Sequence, residues 1–336
     1  MDFPGGVFVS TDCHVNSSAP SLRLKAILML IVANAFWGLS FPLNKAIVFM
    51  HERLLGGGGG WFVTAQTVWP RFVLAALAMG ALNVRTLRTT TRAEWRQGAV
   101  LGLFSVVGLF FQIDGLRFTA ASTSAFLTQF YAILIPVWLA LRQRRNPGGL
   151  VWLSVALVLA GAAVLARLDW RSLRLGRGEA ETLLSSVFFM GQILYLGQKR
   201  FSANRAVAVT WVMFLVEATA AVALALAVAP RSEDMLLPWR SPVWTGFTLT
   251  LTLFCTLSAF LLMNLWQPKL GPIEAGLIYC AEPLFASLMV LFLPAWFSTW
   301  GGFAYANETA GLNLLVGGGL ITAANVLVQL KPPAVS

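Results

Sequence analysis

Residues 151–166 read VWLSVALVLAGAAVLA, an unbroken apolar run with one hydroxyl and no charge. A soluble helix shows a polar face at its own period, and a membrane barrel strand alternates over about ten residues. This run does neither, so it is written for a helix surrounded by hydrocarbon. At 1.5 Å rise per residue, about 20 such residues cross a ~30 Å hydrocarbon core. Nine comparable stretches accompany it, which gives ten expected helices near 26–49, 66–84, 98–116, 120–141, 149–168, 180–198, 207–229, 243–266, 273–293 and 311–330. Hydrophobic residues make up 57% of the chain and charged ones 11%, against about 25% charged in soluble domains. The expected fold class is an all-α integral membrane protein with the lipid bilayer as its partner. No stretch is left over for a soluble domain.

The 24 basic and 14 acidic residues punctuate these spans in clusters such as RTLRTTTRAEWR at 85–96 and LRQRRNP at 141–147. With both termini cytoplasmic, 14 Lys and Arg fall inside and 8 outside, while Lys45 and Arg71 lie within spans. That bias satisfies the rule that basic loops stay in the cytoplasm. The formal charge of +10 therefore faces anionic lipid, and no nucleic-acid partner is expected. Residues 1–22 lack a basic segment followed by an apolar core, so they read as a disordered cytoplasmic tail and not a cleaved signal.

Chemistry-bearing motifs are few. Cys13, Cys255 and Cys280 have neither disulfide nor zinc spacing, and His14 and His51 fall outside the expected spans with no ligand partners nearby. There is no H-E-x-x-H, G-x-S-x-G or P-loop pattern. An enzyme, a metal site and a bound cofactor are not expected. A receptor or structural membrane protein without flux stays open as the alternative to a carrier.

The chain repeats itself weakly. AFWGLSFPLNKAI at 35–47 shifted by 152 falls on VFFMGQILYLGQK at 187–199, and TAASTSAFLTQFYAILIPV at 119–137 falls on GPIEAGLIYCAEPLFASLM at 271–289. The same offset pairs Gln112 with Asn264. Five spans per copy is an odd number, so the copies must insert upside down relative to each other, as in secondary transporters. The expected organisation is a tail at 1–22, a first five-helix repeat at 23–168, an outer linker at 169–178, a second repeat at 179–331 and a tail at 332–336.

Within the spans, Asn34, Trp37, Phe41 and Asn44 or Lys45 recur at helical spacing on one face, and Pro42 with Gly38 and Ser40 makes a bend there expected. Lys45 is about three residues from the expected helix end. Its stem can snorkel to the interface, or its charge can serve the outer mouth. Arg71 follows Pro70; it can hold a substrate carboxylate or lock helices together. Asp114 and Arg117, three apart, read as a surface pair worth at most about 1 kcal/mol. Glu217 and Glu282 are mid-span, where a charge is penalised by roughly 2.5–3.5 kcal/mol on insertion scales. Each must face the bundle interior, be protonated, or both, and each can carry a coupling proton or make a structural hydrogen bond. Lys45, Arg71, Glu217 and Glu282 are thus the candidates for coupling or gating. Trp37, Asn44, Gln112, Thr128, Gln129, Tyr131, Tyr279 and Glu282 would together give a pocket with aromatic walls and a few polar anchors, as small-molecule sites have. GAVLG at 98–102 and the glycines at 317–319 read as close-packing surfaces.

Several of these segments carry a resemblance. WGLSFPLNK resembles the first-helix Trp-Gly signature of the EamA-type family in the drug/metabolite transporter superfamily, and PRFVLAAL resembles its second-helix Arg-Phe. TAASTSAFLTQFYAILIPV is similar to the family's fourth helix, AEPLFASLMVLF to its Glu-Pro ninth helix, and Glu308 with Gly317 to its Glu-then-Gly approach to the tenth. The likeness spans about residues 24–330. PAWFSTWGGFAYAN before Glu308 and GGGGG at 56–60 depart from the family's short connections. The resemblance implies a ten-helix carrier in a bacterial inner membrane. Its cargo would be a small organic metabolite, an amino acid or related compound above all, usually moved outward, with proton coupling as one option.

Overall fold

The computed structural model describes residues 20–54, 60–144, 146, 148–165, 176–309 and 311–330. The expected tail up to residue 19 with Cys13 and His14, most of the glycine run at 56–60, most of the linker at 169–178 and the tail at 332–336 lie outside the described residues.

The helices are α1 (Pro20–Leu54), α2 (Gly60–Leu82), the short α3 (Val84–Leu87), α4 (Arg92–Phe118), α5 (Ala121–Thr128), α6 (Tyr131–Gln143), α7 (Gly149–Leu165), α8 (Arg177–Leu196), α9 (Ala206–Val228), α10 (Pro242–Thr250), α11 (Ala259–Trp266), α12 (Pro272–Tyr279), α13 (Glu282–Met289), α14 (Leu293–Gly301) and α15 (Leu312–Leu330). A π-helical stretch, Leu251–Ser258, joins α10 to α11. There is no strand among the described residues. All ten expected segments are helical, with the fourth divided into α5 and α6 and the ninth into α12 and α13. The second break has a local cause: Pro283 has no amide to offer the carbonyl of Tyr279, the last residue of α12.

Six of the ten are long and apolar enough to cross a bilayer: Ser21–Leu54, Gly60–Leu82, Arg92–Phe118, Ala121–Arg142, Ala206–Val228 and Pro242–Lys269. The pair Pro272–Met289 and Leu293–Gly301, bent by 59°, makes a seventh if it is one span. Gly149–Gly161 and Leu315–Ala324 are shorter apolar helices. α8 has 20 residues and opens on Arg177, Glu179 and Glu181, which dilutes its hydropathy. Two boundaries differ from expectation, since α1 begins inside the segment read as tail and α8 inside the segment read as linker.

The helices sort into two bundles. In one, α1 packs along α13, α12, α11 and the π-helical stretch; in the other, α4 packs along α8, and α8 along α5 and α6. Two further pairs, α2 with α9 and α7 with α15, complete the assembly. Lipid tails are as apolar as leucine, so such helices hold together by close packing more than by the hydrophobic effect. Gly98 and Gly102 show it: a Cβ on Gly98 would stand 2.6 Å from Val212 Cβ, and one on Gly102 would stand 2.8 Å from the Met213 carbonyl of α9. Leucines such as Leu77, Leu103, Leu226 and Leu249 remain on the outer surface, at least half exposed, where a bilayer would cover them. One end of the assembly holds Pro20, Glu94, Arg205 and Glu274, as the Arg23–Glu274 and Arg205–Glu94 ion pairs show. The other end holds Leu54, the end of α4 and the start of α8.

Candidate functional site

Between the two bundles lies a cavity. The first bundle lines it with Trp37, Ser40 and Asn44 of α1, Cys255, Phe260 and Met263 of the eighth segment, Tyr279 of α12 and Glu282 of α13. The second lines it with Leu109 and Gln112 of α4, Thr128, Tyr131, and Phe189, Gln192 and Ile193 of α8. Arg71 reaches in from α2. Trp37, Asn44, Gln112, Thr128, Tyr131, Tyr279, Glu282 and Arg71 are thus brought together from seven helices, α1, α2, α4, α5, α6, α12 and α13.

The walls are held in place by neighbours. Trp37 lies edge-on to Tyr279 and to Phe260, with both ring centroids 5.5 Å away. Gln112 Nε2 donates to Thr128 Oγ1 at 3.0 Å, and Thr128 Oγ1 donates to the Ser124 carbonyl at 2.9 Å. Tyr279 Oη donates to Gln267 Oε1 at 2.9 Å, and Gln267 Nε2 donates to the Ile193 carbonyl at 2.9 Å, so this chain links the two bundles. Arg71 is buried, and its Nη1 makes a long 3.4 Å bond to Asn44 Oδ1. Its Nε has no hydrogen-bond partner among the described residues. A guanidinium carries five donors in a planar fork, so Arg71 retains donor capacity on the cavity side. Glu282 is buried on the opposite chemistry of the same wall, with Gln129 facing it.

Three sequence candidates lie off this wall. Gln129 is buried behind Glu282. Glu217 is fully buried on α9, where Ser105 and Arg71 are the polar groups facing it, so it stands behind Arg71 and not in the cavity. Lys45 points away, toward the end of α4. The snorkelling reading of Lys45 is corrected: α1 continues nine residues beyond it to Leu54, and the ammonium is bound to backbone carbonyls. Asp114 is likewise no surface group. It is fully buried, accepts from Thr64 Oγ1 at 2.9 Å and from Arg117 at 3.1 Å, and pairs with Arg177 across helices. His51 lies inside α1 and is fully buried, with its Nε2 accepting from Trp244 Nε1 at 2.7 Å. All three errors have one source, the underestimated length of α1 and α2 at the Leu54 end.

Phe189 and Gln192 line the cavity and were not singled out in the sequence, and Ser40, read there only as part of a bend, lines it too. The signal existed, since the 152-residue offset places Trp37 on Phe189 and Ser40 on Gln192. Leu109, Ile193 and Met263 gave none, because apolar side chains on an apolar helix carry no mark of which face they occupy.

Residues 24–167 match the model of the EamA-like transporter family. No curated protein matches the sequence. A solved crystal structure, described only as that of a protein, has 17% sequence identity and a TM-score of 0.65, covering 92% of this chain and 97% of its own. At that identity the likeness shows the fold alone.

Proposed function

Because residues 24–167 of this integral membrane protein match the model of the EamA-like transporter family, we infer that it is an alternating-access carrier of a small zwitterionic metabolite, an amino acid or a close relative. The observation that carries the reading is that a guanidinium, Arg71, and a carboxyl, Glu282, line one cavity between two bundles. A solute carboxylate would take the free donors of Arg71 in charge-assisted bonds, its ammonium would take Glu282, and its side chain would lie against Trp37, Phe260 and Phe189. In this reading the chain is ten spans in two inverted repeats, set in a bacterial inner membrane with the Pro20 end cytoplasmic. The packing supports the repeats. Exchanging the halves turns α1 against α12 and α13 into α8 against α5 and α6, and leaves α2 with α9 and α7 with α15 paired as they are. Outward flux is the proposed direction. A proton exchanged at Glu282 is the proposed coupling, with Arg71 on the wall and Glu217 behind it adjusting the local charge.

Counterflow in proteoliposomes with a panel of labelled amino acids, amines and carboxylic acids tests the reading. Saturable exchange of a zwitterion is expected, with Arg71→Gln raising KM about tenfold or more, as the loss of a charge-assisted bond of about 1.5–3 kcal/mol requires. Glu282→Gln keeps size and hydrogen bonding but fixes the neutral state, so transport should lose its pH dependence. Movement of a simple amine or an uncharged solute with no zwitterion accepted would sink the substrate class. Equal flux and an unchanged pH profile in Glu282→Gln would remove the carboxyl from the cycle.

A further inference from the structure

The last turn of any α-helix leaves carbonyl oxygens without intrahelical donors and carries the negative end of the helix dipole. At the end of α4 that turn is occupied from another bundle. Lys45 Nζ of α1 lies 2.6 Å from the Leu116 carbonyl, 3.1 Å from the Thr119 carbonyl and 3.5 Å from the Arg117 carbonyl. It also lies over the Phe49 ring, 5.3 Å from its centroid. No carboxylate pairs with it within 4 Å among the described residues; Glu52 acts on it only at longer range. The charge is therefore met by backbone oxygens and a π face. Ion-conducting and ion-coupled proteins use converging carbonyls and half-helix ends in this way to bind sodium or potassium.

We propose that the end of α4 is a monovalent-cation site which this chain fills with its own tethered cation, the Lys45 ammonium, so that the bundles are joined there without an ion from solution. The site sits directly over an apolar seal. Phe41, Ala286 and Val290 of the first bundle meet Leu116, Ala121 and Ala125 of the second in one buried cluster. Asn44, the residue before Lys45, is on the cavity wall and accepts from Arg71. The filled site therefore holds the Leu54 end of the cavity shut. It opens only when the ammonium leaves all three carbonyls together. Charge and reach are both needed: the carbonyl cluster attracts any small cation, and the stem of Lys45 fixes its concentration by attachment.

The inference goes beyond the carrier reading, and its test needs no solute. Purified wild-type protein and Lys45→Ala are melted in sodium, potassium and choline chloride at equal ionic strength. The wild type should melt alike in all three. Lys45→Ala should melt several degrees lower in choline and recover with a saturating dependence on sodium or potassium, because choline is too large for the cluster. Lys45→Met keeps the packing of the stem and is the second variant, expected to show the same rescue where Lys45→Ala is recovered poorly. Melting of Lys45→Met that is identical in the three salts would overturn the proposal. Alkali dependence in the wild type would overturn it as well, since the site would then be open to solution ions.

Discussion

At the Leu54 end of the cavity, Lys45 of α1 bridges to the carbonyls of Leu116 and Thr119. At the Pro20 end, the position 152 residues later is Gly197, beside the last residue of α8. It has no side chain to offer, and a Cβ there would stand 3.2 Å from the Pro272 ring. The bridge at that end is made by a neutral amide instead, Gln267 to the Ile193 carbonyl, backed by Tyr279. The cavity thus closes its two ends with different chemistry. A charge-assisted bond contributes about 1.5–3 kcal/mol and a neutral one about 0.5–1.5. The Leu54 end should therefore be the harder to open, which biases the cavity toward opening at the Pro20 end.

The comparison breaks outright if the two ends do not face opposite sides of the membrane. In a background with Cys13, Cys255 and Cys280 replaced, single cysteines at Arg88 and Lys269 should react with an impermeant thiol reagent only from the cytoplasm, and those at Arg231 and Arg240 only from outside. The effect is all or none. Labelling of Arg88 and Arg231 from one side would abolish the inverted arrangement and with it the pairing of Lys45 with Gly197.

That pairing also shows how far the sequence could be read. Composition and continuous apolar runs were enough for helices, because a bilayer permits little else. The cavity was legible where a polar or aromatic residue broke an apolar run, as Trp37, Gln112 and Glu282 do. It was illegible at Met263 and Ile193, which differ from lipid-facing neighbours only in direction. The Leu54 end was misread for a different reason. Helix ends were placed where hydropathy falls, at residue 49 for α1, but the helix runs on through His51 to Leu54, because buried partners satisfy its polar groups: Trp244 for His51, and the end of α4 for Lys45 one turn before. Hydropathy measures the cost of a polar group in lipid and is blind to a partner supplied by another helix.

A sharper test of the asymmetry removes the neutral bridge. Gln267 is buried, and Gln267→Ala takes the side-chain donor from the Ile193 carbonyl, which keeps only the Gly197 amide, and leaves Tyr279 Oη without its acceptor. Losing these bonds should cost the closed Pro20 end about 1–3 kcal/mol, a shift of roughly tenfold or more in its opening equilibrium. A cysteine placed at Gln192, on the cavity wall, should then react faster from the cytoplasmic side by that factor, with its reaction from outside unchanged or slower. Equal acceleration from both sides would mean that Gln267 holds the fold together and not one end of the cavity.

The smallest expected effect is at Gly197 itself. Its φ of −74° is one that any residue adopts, so the lack of a side chain answers to space and not to backbone strain. Gly197→Ala would add a methyl 3.2 Å from Pro272 Cγ, a few tenths of an ångström too close, while the next neighbours, the Ile193 and Leu194 carbonyls, stand at 3.6 and 3.9 Å. A proline ring at the first turn of α12 yields little, so the two bundles must part slightly at this end. The cost should be below about 1 kcal/mol, offset in part by the reduced backbone freedom of alanine in the unfolded chain. A small rise in cytoplasmic reactivity at Gln192, a few-fold and in the same direction as Gln267→Ala, is therefore the expected outcome. The same substitution should leave reactivity from outside untouched, since α8 meets α12 only at the Pro20 end. If Gly197→Ala lowered cytoplasmic reactivity, the added methyl would be tightening the junction, and the glycine would have to be read as the element that keeps this end loose.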